Sequence, residues 1–396
     1  MTWRVLRGHS VWALRYFVIP GPQSYDSLRL ELGMADEVRV LLVADSHLGF
    51  DLPVRPRVER RRRGHDFLAN YARALAPALA GEVDAVMHAG DVFDRSSVVS
   101  TLAYQAFEPL RRIATLGIPV LVVPGNHERS RLPHLRFARH PNVHIFATPR
   151  TVVVEARRAR IAFSGFPYER DNVRGRFPAL LAETRWADVP ADARLLCLHH
   201  CIEGATVGPA NYTFTSADDV IRTRDIPPAF AATLSGHIHR HQLLTHDLER
   251  KPLAAPIIYP GSIERTAFAE IGETKGFGIL HIALGGGAPQ VRWEFRQLPA
   301  RPMIRSEIDA TAMTPAALRA AVEEIMTAAP DDAVLSIRVS GALTDAHWRE
   351  VSPARLRTLR PLMNIEIAPA DRFALARQRE PRTVSIDNQS QLSLQW

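Results

Sequence analysis

The stretch VRVLLVADSHLG, residues 38–49, is an apolar run that stops on Asp45 and His47. Its first part, VRVLLVA (38–44), lacks strict alternation of apolar and polar residues. That pattern predicts a strand buried on both faces. VDAVMHA (83–89), IPVLVVP (118–124) and ARLLCLHH (193–200) read the same way. Helix-like stretches at about 65–80 and 98–116 separate the early runs. A strand–helix–strand rhythm predicts an α/β domain. Consecutive strands are expected over 143–165 and 254–296, which argues against a purely doubly wound sheet. Two packed sheets with helices outside fit better.

Each apolar run ends on polar ligand types. ADSHLG supplies Asp45 and His47; AGDVFDRS supplies Asp91 and Asp94. PGNHERS supplies Asn126, His127 and Glu128, and LHHCIEG supplies His199 and His200. A fifth junction, SGHIHRHQ, holds His237, His239 and His241. Residues two apart on a strand share a side, so Asp45 with His47, and His237 with His239, are expected to be aimed together. Open α/β sheets gather such groups at the carboxyl ends of their strands. A single strand-end Asp is usually a turn or cap, and a single His a satisfied side chain. Five junctions in series point instead to a metal centre. Two cations about 3.5–4 Å apart need a bridging ligand, and the Asp91 carboxylate has two oxygens to offer. Mixed nitrogen and oxygen donors suit manganese, iron or zinc better than calcium. Two divalent ions against Asp45 and Asp91 leave a positive surplus, which attracts phosphate and acidifies water.

The series D-x-H, G-D-x-x-D, G-N-H-E, H and G-H-x-H, over residues 45–239, resembles the calcineurin-like metallophosphoesterase family. The resemblance implies a four-layer αββα sandwich and two divalent ions, with manganese expected and magnesium, iron or zinc as alternatives. It implies that Asp45, His47, Asp91 and His239 hold one ion. Asp91, Asn126, His199 and His237 would hold the other. His127 would contact the scissile phosphate and help protonate the leaving oxygen, oriented by Glu128. His199 is favoured over His200 as the ligand because it directly follows the strand. His241 falls off the motif. EGATVGPANYTF (203–214) and YPGSIERTAFAE (259–270) resemble DNA repair exonucleases of the bacterial SbcD type and their archaeal and eukaryotic relatives. That resemblance implies a metal-dependent exonuclease or endonuclease. The alternative is a phosphodiesterase acting on small nucleotides or other phosphoesters; a binding-only role ranks below both.

Composition fits a folded enzyme. Of 396 residues, 46% are hydrophobic and 23% charged, enough to bury a sizeable core. Net charge is +7, and Lys251 and Lys275 are the only lysines, so arginine carries the positive charge. Arginine suits phosphate because its planar fork donates two parallel hydrogen bonds. The run RPRVERRRRGH (55–65) follows the first metal motif. Arg60, Arg61, Arg62 and Arg63 are candidate DNA contacts; the alternative is a solvated basic loop. Arg265, near Tyr259 and Phe268, either contacts DNA or fixes a turn. Cys197 and Cys201 are too few for a disulfide framework. No apolar run approaches the ~20 residues of a membrane span. Arg15 interrupts the early apolar run, and no small-residue cleavage site follows, so a cytoplasmic location is expected.

Residues 1–35 read as an N-terminal extension, with Met34 an alternative start. The metallophosphoesterase domain is expected over 36–296 and a small α+β cap over 297–370, with a helix at 314–329, a strand at 333–341 and a helix near 344–360. A flexible tail, 371–396, would follow. Its end, QLSLQW, resembles a bacterial sliding-clamp-binding motif. Gln391 would bond in the clamp groove while Leu392, Leu394 and Trp396 fill its apolar pocket. Relatives pair with an SMC-like ATPase through a C-terminal helical segment; the tail here shows no amphipathic helix, so that partner stays open. The resemblance also implies a homodimer.

Overall fold

The computed structural model describes residues 37–51, 63–285 and 287–370. Arg60, Arg61 and Arg62, the alternative start at Met34 and the tail residues Gln391, Leu392, Leu394 and Trp396 lie outside the described residues.

The run that opened the chain is strand β1 (Glu37–Val43). It pairs in parallel with β2 (Ala85–His88), which continues to β3 (Val120–Val122) and β4 (Val143–Ile145). A second sheet is built from β5 (Arg150–Ala156), β6 (Ala159–Gly165) and β7 (Ala193–Leu198). Four two-residue pieces follow: β8 (Cys201–Ile202), β9 (Thr206–Val207), β10 (Tyr212–Thr213) and β11 (Val220–Ile221). The second sheet is completed by β12 (Ala232–Ser235), β13 (Gln242–His246) and β14 (Pro252–Tyr259). Then β15 (Gly276–Ala283) and β16 (Gln290–Gln297) return antiparallel to extend the first sheet beyond β1. The strand orders are β16-β15-β1-β2-β3-β4 and β13-β14-β12-β7-β6-β5.

Three apolar layers hold the sheets. Along β1, Leu41 and Val43 face one core while Val38, Val40 and Leu42 face another, so the strand's period of two serves two buried faces. The first core packs against helices α1 (Gly64–Leu79) and α2 (Ser100–Thr115) through Phe67, Tyr71, Phe107 and Leu110. The second lies between the sheets and includes Phe163, Leu195, Cys197, Leu234 and Ile258. The third covers the outer face of the second sheet with α3 (Val173–Glu183), through Phe177 and Leu180 against Leu196 and Leu198. Helix, sheet, sheet, helix: these are the four layers expected from the sequence.

A smaller unit follows. Its sheet is parallel, in the order β17 (Met303–Asp309), β18 (Val334–Ser340) and β19 (Asn364–Pro369). Helix α4 (Pro315–Ala328) connects the first two strands; α5 (Asp345–Glu350) and α6 (Pro353–Leu359) precede the third. Leu318, Val322 and Met326, spaced four apart on α4, cover Leu335, Ile337 and Val339 in a core of their own. Among the described residues, no helix is long and apolar enough to cross a membrane.

Candidate metal centre

The predicted ligands converge where the strands end, but not by the pleat. β1 ends at Val43 and β12 at Ser235, before Asp45 and His237. The expectation that strand alternation aims each pair to one side therefore fails. Left-handed backbone turns do the aiming: φ is 49° at Asp45, 40° at His47, 52° at Asp91 and 78° at His237. Each such residue costs about 1–3 kcal/mol and persists only where its surroundings enforce it. Here the loops after β1 and β2 clasp one another. Asp45 N donates to Gly90 O at 2.9 Å, His47 N to Asp91 O at 3.0 Å and Leu48 N to Val92 O at 2.9 Å. The carboxylates tie in the other loops: His237 N donates to Asp45 Oδ1 and His127 N to Asp91 Oδ1, both at 3.0 Å. Gly125 is required beside Asp91, because a Cβ there would fall 2.1 Å from Asp91 Oδ1.

Two bays result. In one, His47 Nε2 and His239 Nε2 face each other at 2.9 Å, with the Asp45 carboxylate beside them. In the other, His199 Nε2 and His237 Nδ1 converge on Asn126 Oδ1 at 3.0 and 2.9 Å. Asp91 Oδ2 lies between the bays, 3.3 Å from His199 Nε2 and 3.9 Å from His47 Nε2.

The donor set fits cations. His199 Nδ1 donates to Ala89 O at 2.7 Å, so Nε2 is left to hold a proton or a cation against Asp91 and Asn126. His239 Nδ1 bonds Glu270 Oε1 at 3.1 Å, which turns its Nε2 lone pair onto that of His47. Two ring nitrogens at that range share either a proton, as an N–H···N hydrogen bond, or a cation that draws them apart. Asp45 Oδ2 is buried and without a hydrogen-bond partner. Burial works to raise the Asp91 carboxyl, but His199, then His127 and His47, hold it well below the usual range. Burial, followed by the charges of His127 and His239, drives His47 well below its ordinary value. Burial and His199 do the same to His237. Neutral imidazoles and an ionised bridge are the ligating forms.

His127 stands at the mouth, with its side chain 25% exposed, and its Nδ1 bonds Asp94 O at 2.8 Å. The expected orienting role of Glu128 does not hold. Its carboxylate instead accepts from Phe93 N at 2.7 Å and Gly125 N at 2.8 Å, stapling two loops together. Burial, then Asp91, pushes its carboxyl up to about 8. Asp94 Oδ1 lies 3.7 Å from His47 Nδ1. His200 is turned away: its Nε2 accepts from Glu169 N at 2.9 Å and its ring stacks on Tyr168. His241 stacks on Phe295 and accepts from Trp293 Nε1 at 3.0 Å, outside the bays.

The two described arginines expected on DNA point inward. Arg63 is 8% exposed and bonds Arg265 O. Arg265 donates to Glu270 O, Arg301 O and Glu273 O, so it fixes a turn. Tyr259 is buried, with its hydroxyl on His200 O. Sequence reasoning passed over Glu270, Lys275 and Tyr168. Tyr168 lies 5.7 Å from His237, ring to ring. Lys275 left one signal, being one of only two lysines.

A family model described as calcineurin-like phosphoesterase matches residues 38–241. The DNA double-strand break repair protein Mre11 of Haloferax volcanii is 44% identical over 98 residues, 24% of this chain and 20% of that protein. Mre11 of Aeropyrum pernix is 28% identical over 285 residues, 68% of this chain and 63% of that protein. A component of the nuclease SbcCD from Rhodobacter capsulatus is 29% identical over 325 residues, covering 72% of this chain and 75% of that protein. The chain thus spans less than two thirds of the two archaeal relatives.

Proposed function

The chain belongs to the calcineurin-like phosphoesterase family, and on that premise we propose that it is a metal-dependent nuclease hydrolysing phosphodiester bonds of DNA. The observation that carries the chemistry is the Asp91 carboxylate, set between one bay that holds Asp45, His47 and His239 and another that holds Asn126, His199 and His237. The choice of DNA is supported by relatives named as a DNA repair protein and as part of a nuclease, matched over most of this chain.

Asp45, His47, Asp91 and His239 would hold one cation, and Asp91, Asn126, His199 and His237 the other. Bound there, divalent ions supply charge for the phosphate and acidify water. The chain's own groups do the rest. His199 and His239 are locked by Ala89 O and Glu270, so their donor nitrogens need no reorganisation. His127 anchors Nδ1 on Asp94 O, leaving Nε2 at the exposed mouth to contact a phosphate oxygen. A second proton on that ring makes it the donor to the departing 3′ oxygen.

A substrate panel with manganese tests this: end-labelled duplex DNA, single-stranded DNA, cyclic nucleotides and a generic phosphodiester. DNA is expected to be cut, and His127→Ala to lower turnover roughly 10²–10⁴-fold with metal binding retained. Inert DNA beside rapid turnover of small nucleotides would replace this reading with the small-substrate one.

A further inference from the structure

We infer that Glu270 and Lys275 are the positioning pair of the bay formed by Asp45, His47 and His239, fixing His239 with its Nε2 bare toward a cation. The inference rests on the two-cation reading above and is independent of which phosphodiester is cut.

His239 is gripped at two points. Its ring Nδ1 bonds Glu270 Oε1 at 3.1 Å, and its carbonyl accepts from Lys275 Nζ at 2.9 Å. Lys275 is 1% exposed, and Nζ has three acceptors for its three protons. They are His239 O, Glu270 Oε2 at 2.6 Å and Glu273 Oε2 at 3.0 Å. Glu270 is equally committed: Thr266 Oγ1 donates to Oε1 at 2.5 Å and Thr266 N to Oε2 at 3.3 Å. Every other neighbour of this carboxylate is a donor, so Glu270 can only accept. His239 must therefore carry a proton on Nδ1, which leaves Nε2, opposite His47 Nε2, as the nitrogen that can turn a lone pair to a cation.

An enclosed ion pair is a poor source of stability, because desolvation offsets its attraction. Its placement on a ligand's ring and carbonyl gives it a different use. A carboxylate is needed because two groups of donors approach its two oxygens from different sides. In Glu270→Gln one oxygen remains. The Lys275 ammonium takes it, and the amide NH2 falls on His239 Nδ1. The ring must then accept at Nδ1 and carry its proton on Nε2, where it blocks the cation. A purely structural pair would lower stability and leave the two cations equally served.

The test is a Mn2+ titration of metal-free protein followed by electron paramagnetic resonance, with thermal melting in chelator as the folding control. The parent is expected to bind two ions with a spin-coupled signal. Glu270→Gln is expected to keep one ion and lose roughly 10–100-fold in affinity for the other, leaving an uncoupled six-line signal. Glu270→Asp, which keeps both oxygens, is expected to recover part of the coupled signal. If Glu270→Gln fails to melt cooperatively in chelator, Glu270→Asp carries the test through the same selective weakening. Two ions bound as in the parent, or both weakened equally, would overturn the positioning role. A parent that binds no Mn2+ would overturn the metal centre itself, a result distinct from either.

Discussion

At the scale of single residues, which side chains gather at the site was legible and their geometry was not. Asp45, Asp91, Asn126, His199, His237 and His239 announce themselves because each ends an apolar run. The left-handed turns that aim four of the expected ligands leave only a faint mark in residue type: Asp and His are enriched at φ > 0, but most residues of either type do not adopt it. Glu128 was misassigned because adjacency in sequence says nothing about which loop a buried carboxylate staples. His199 carries a consequence that pH reveals. Burial alone lowers its ring, but the Asp91 carboxylate outweighs burial and lifts it to about 9. Without a cation, His199 is therefore protonated at neutral pH, and a cation must displace that proton. Manganese affinity is expected to rise with pH up to about 9, and binding at neutral pH to release a proton. Calorimetry in two buffers of different ionisation heat measures this; a binding heat independent of buffer would refute it.

At the scale of elements, the expected runs match β1, β2, β3, β7, β18, α1, α2 and α4 to within a few residues. Helix α3 and strands β17 and β19 were not expected, and the helix near 344–360 is two, α5 and α6. The two-residue strands between Cys201 and Ile221 were not expected, because so short a piece has no period to detect. Tertiary bonds hold them instead. The β9–β10 hairpin hangs on Arg240, which donates to Gly208 O at 2.6 Å and Asn211 Oδ1 at 2.7 Å. Arg240 Nε also reaches Glu273 Oε1 at 3.2 Å, the same carboxylate that accepts from Lys275. The hairpin is thereby joined to the carboxylates behind His239. Arg240→Leu is expected to release residues 206–213 while leaving the core intact. Limited proteolysis should then cut within the hairpin at least several times faster, with the melting temperature nearly unchanged. Equal cleavage rates in parent and variant would show that Gln242, which also bonds Thr206, suffices alone.

At the scale of the molecule, nothing in the sequence pattern shows what joins the β17–β19 sheet to the larger body. Residues 297–302 carry no periodic pattern; the junction combines a small apolar contact of Phe268 with Met303 and Val334 and one buried arginine among many. Arg301 is 5% exposed, and its guanidinium reaches both sides. It donates to Asn364 Oδ1 at 2.6 Å and Leu362 O at 3.0 Å in the smaller unit, and to Asp66 Oδ2 at 3.3 Å on α1. Its backbone accepts from Arg265, the arginine expected on DNA. Removing one partner from a buried charged network costs on the order of 3 kcal/mol, because the acceptors left behind are not rehydrated. Arg301→Met keeps the apolar stem and discards the fork, so the loss should fall on the junction rather than on either core. The expected result in calorimetry is a split of one melting transition into two, the smaller unit melting first. With each unit keeping its own core, Mn2+ should still raise the upper transition, because the bays lie wholly in the larger unit. A single transition at the parent's temperature would mean that the units are held by their apolar contact and that Arg301 is dispensable.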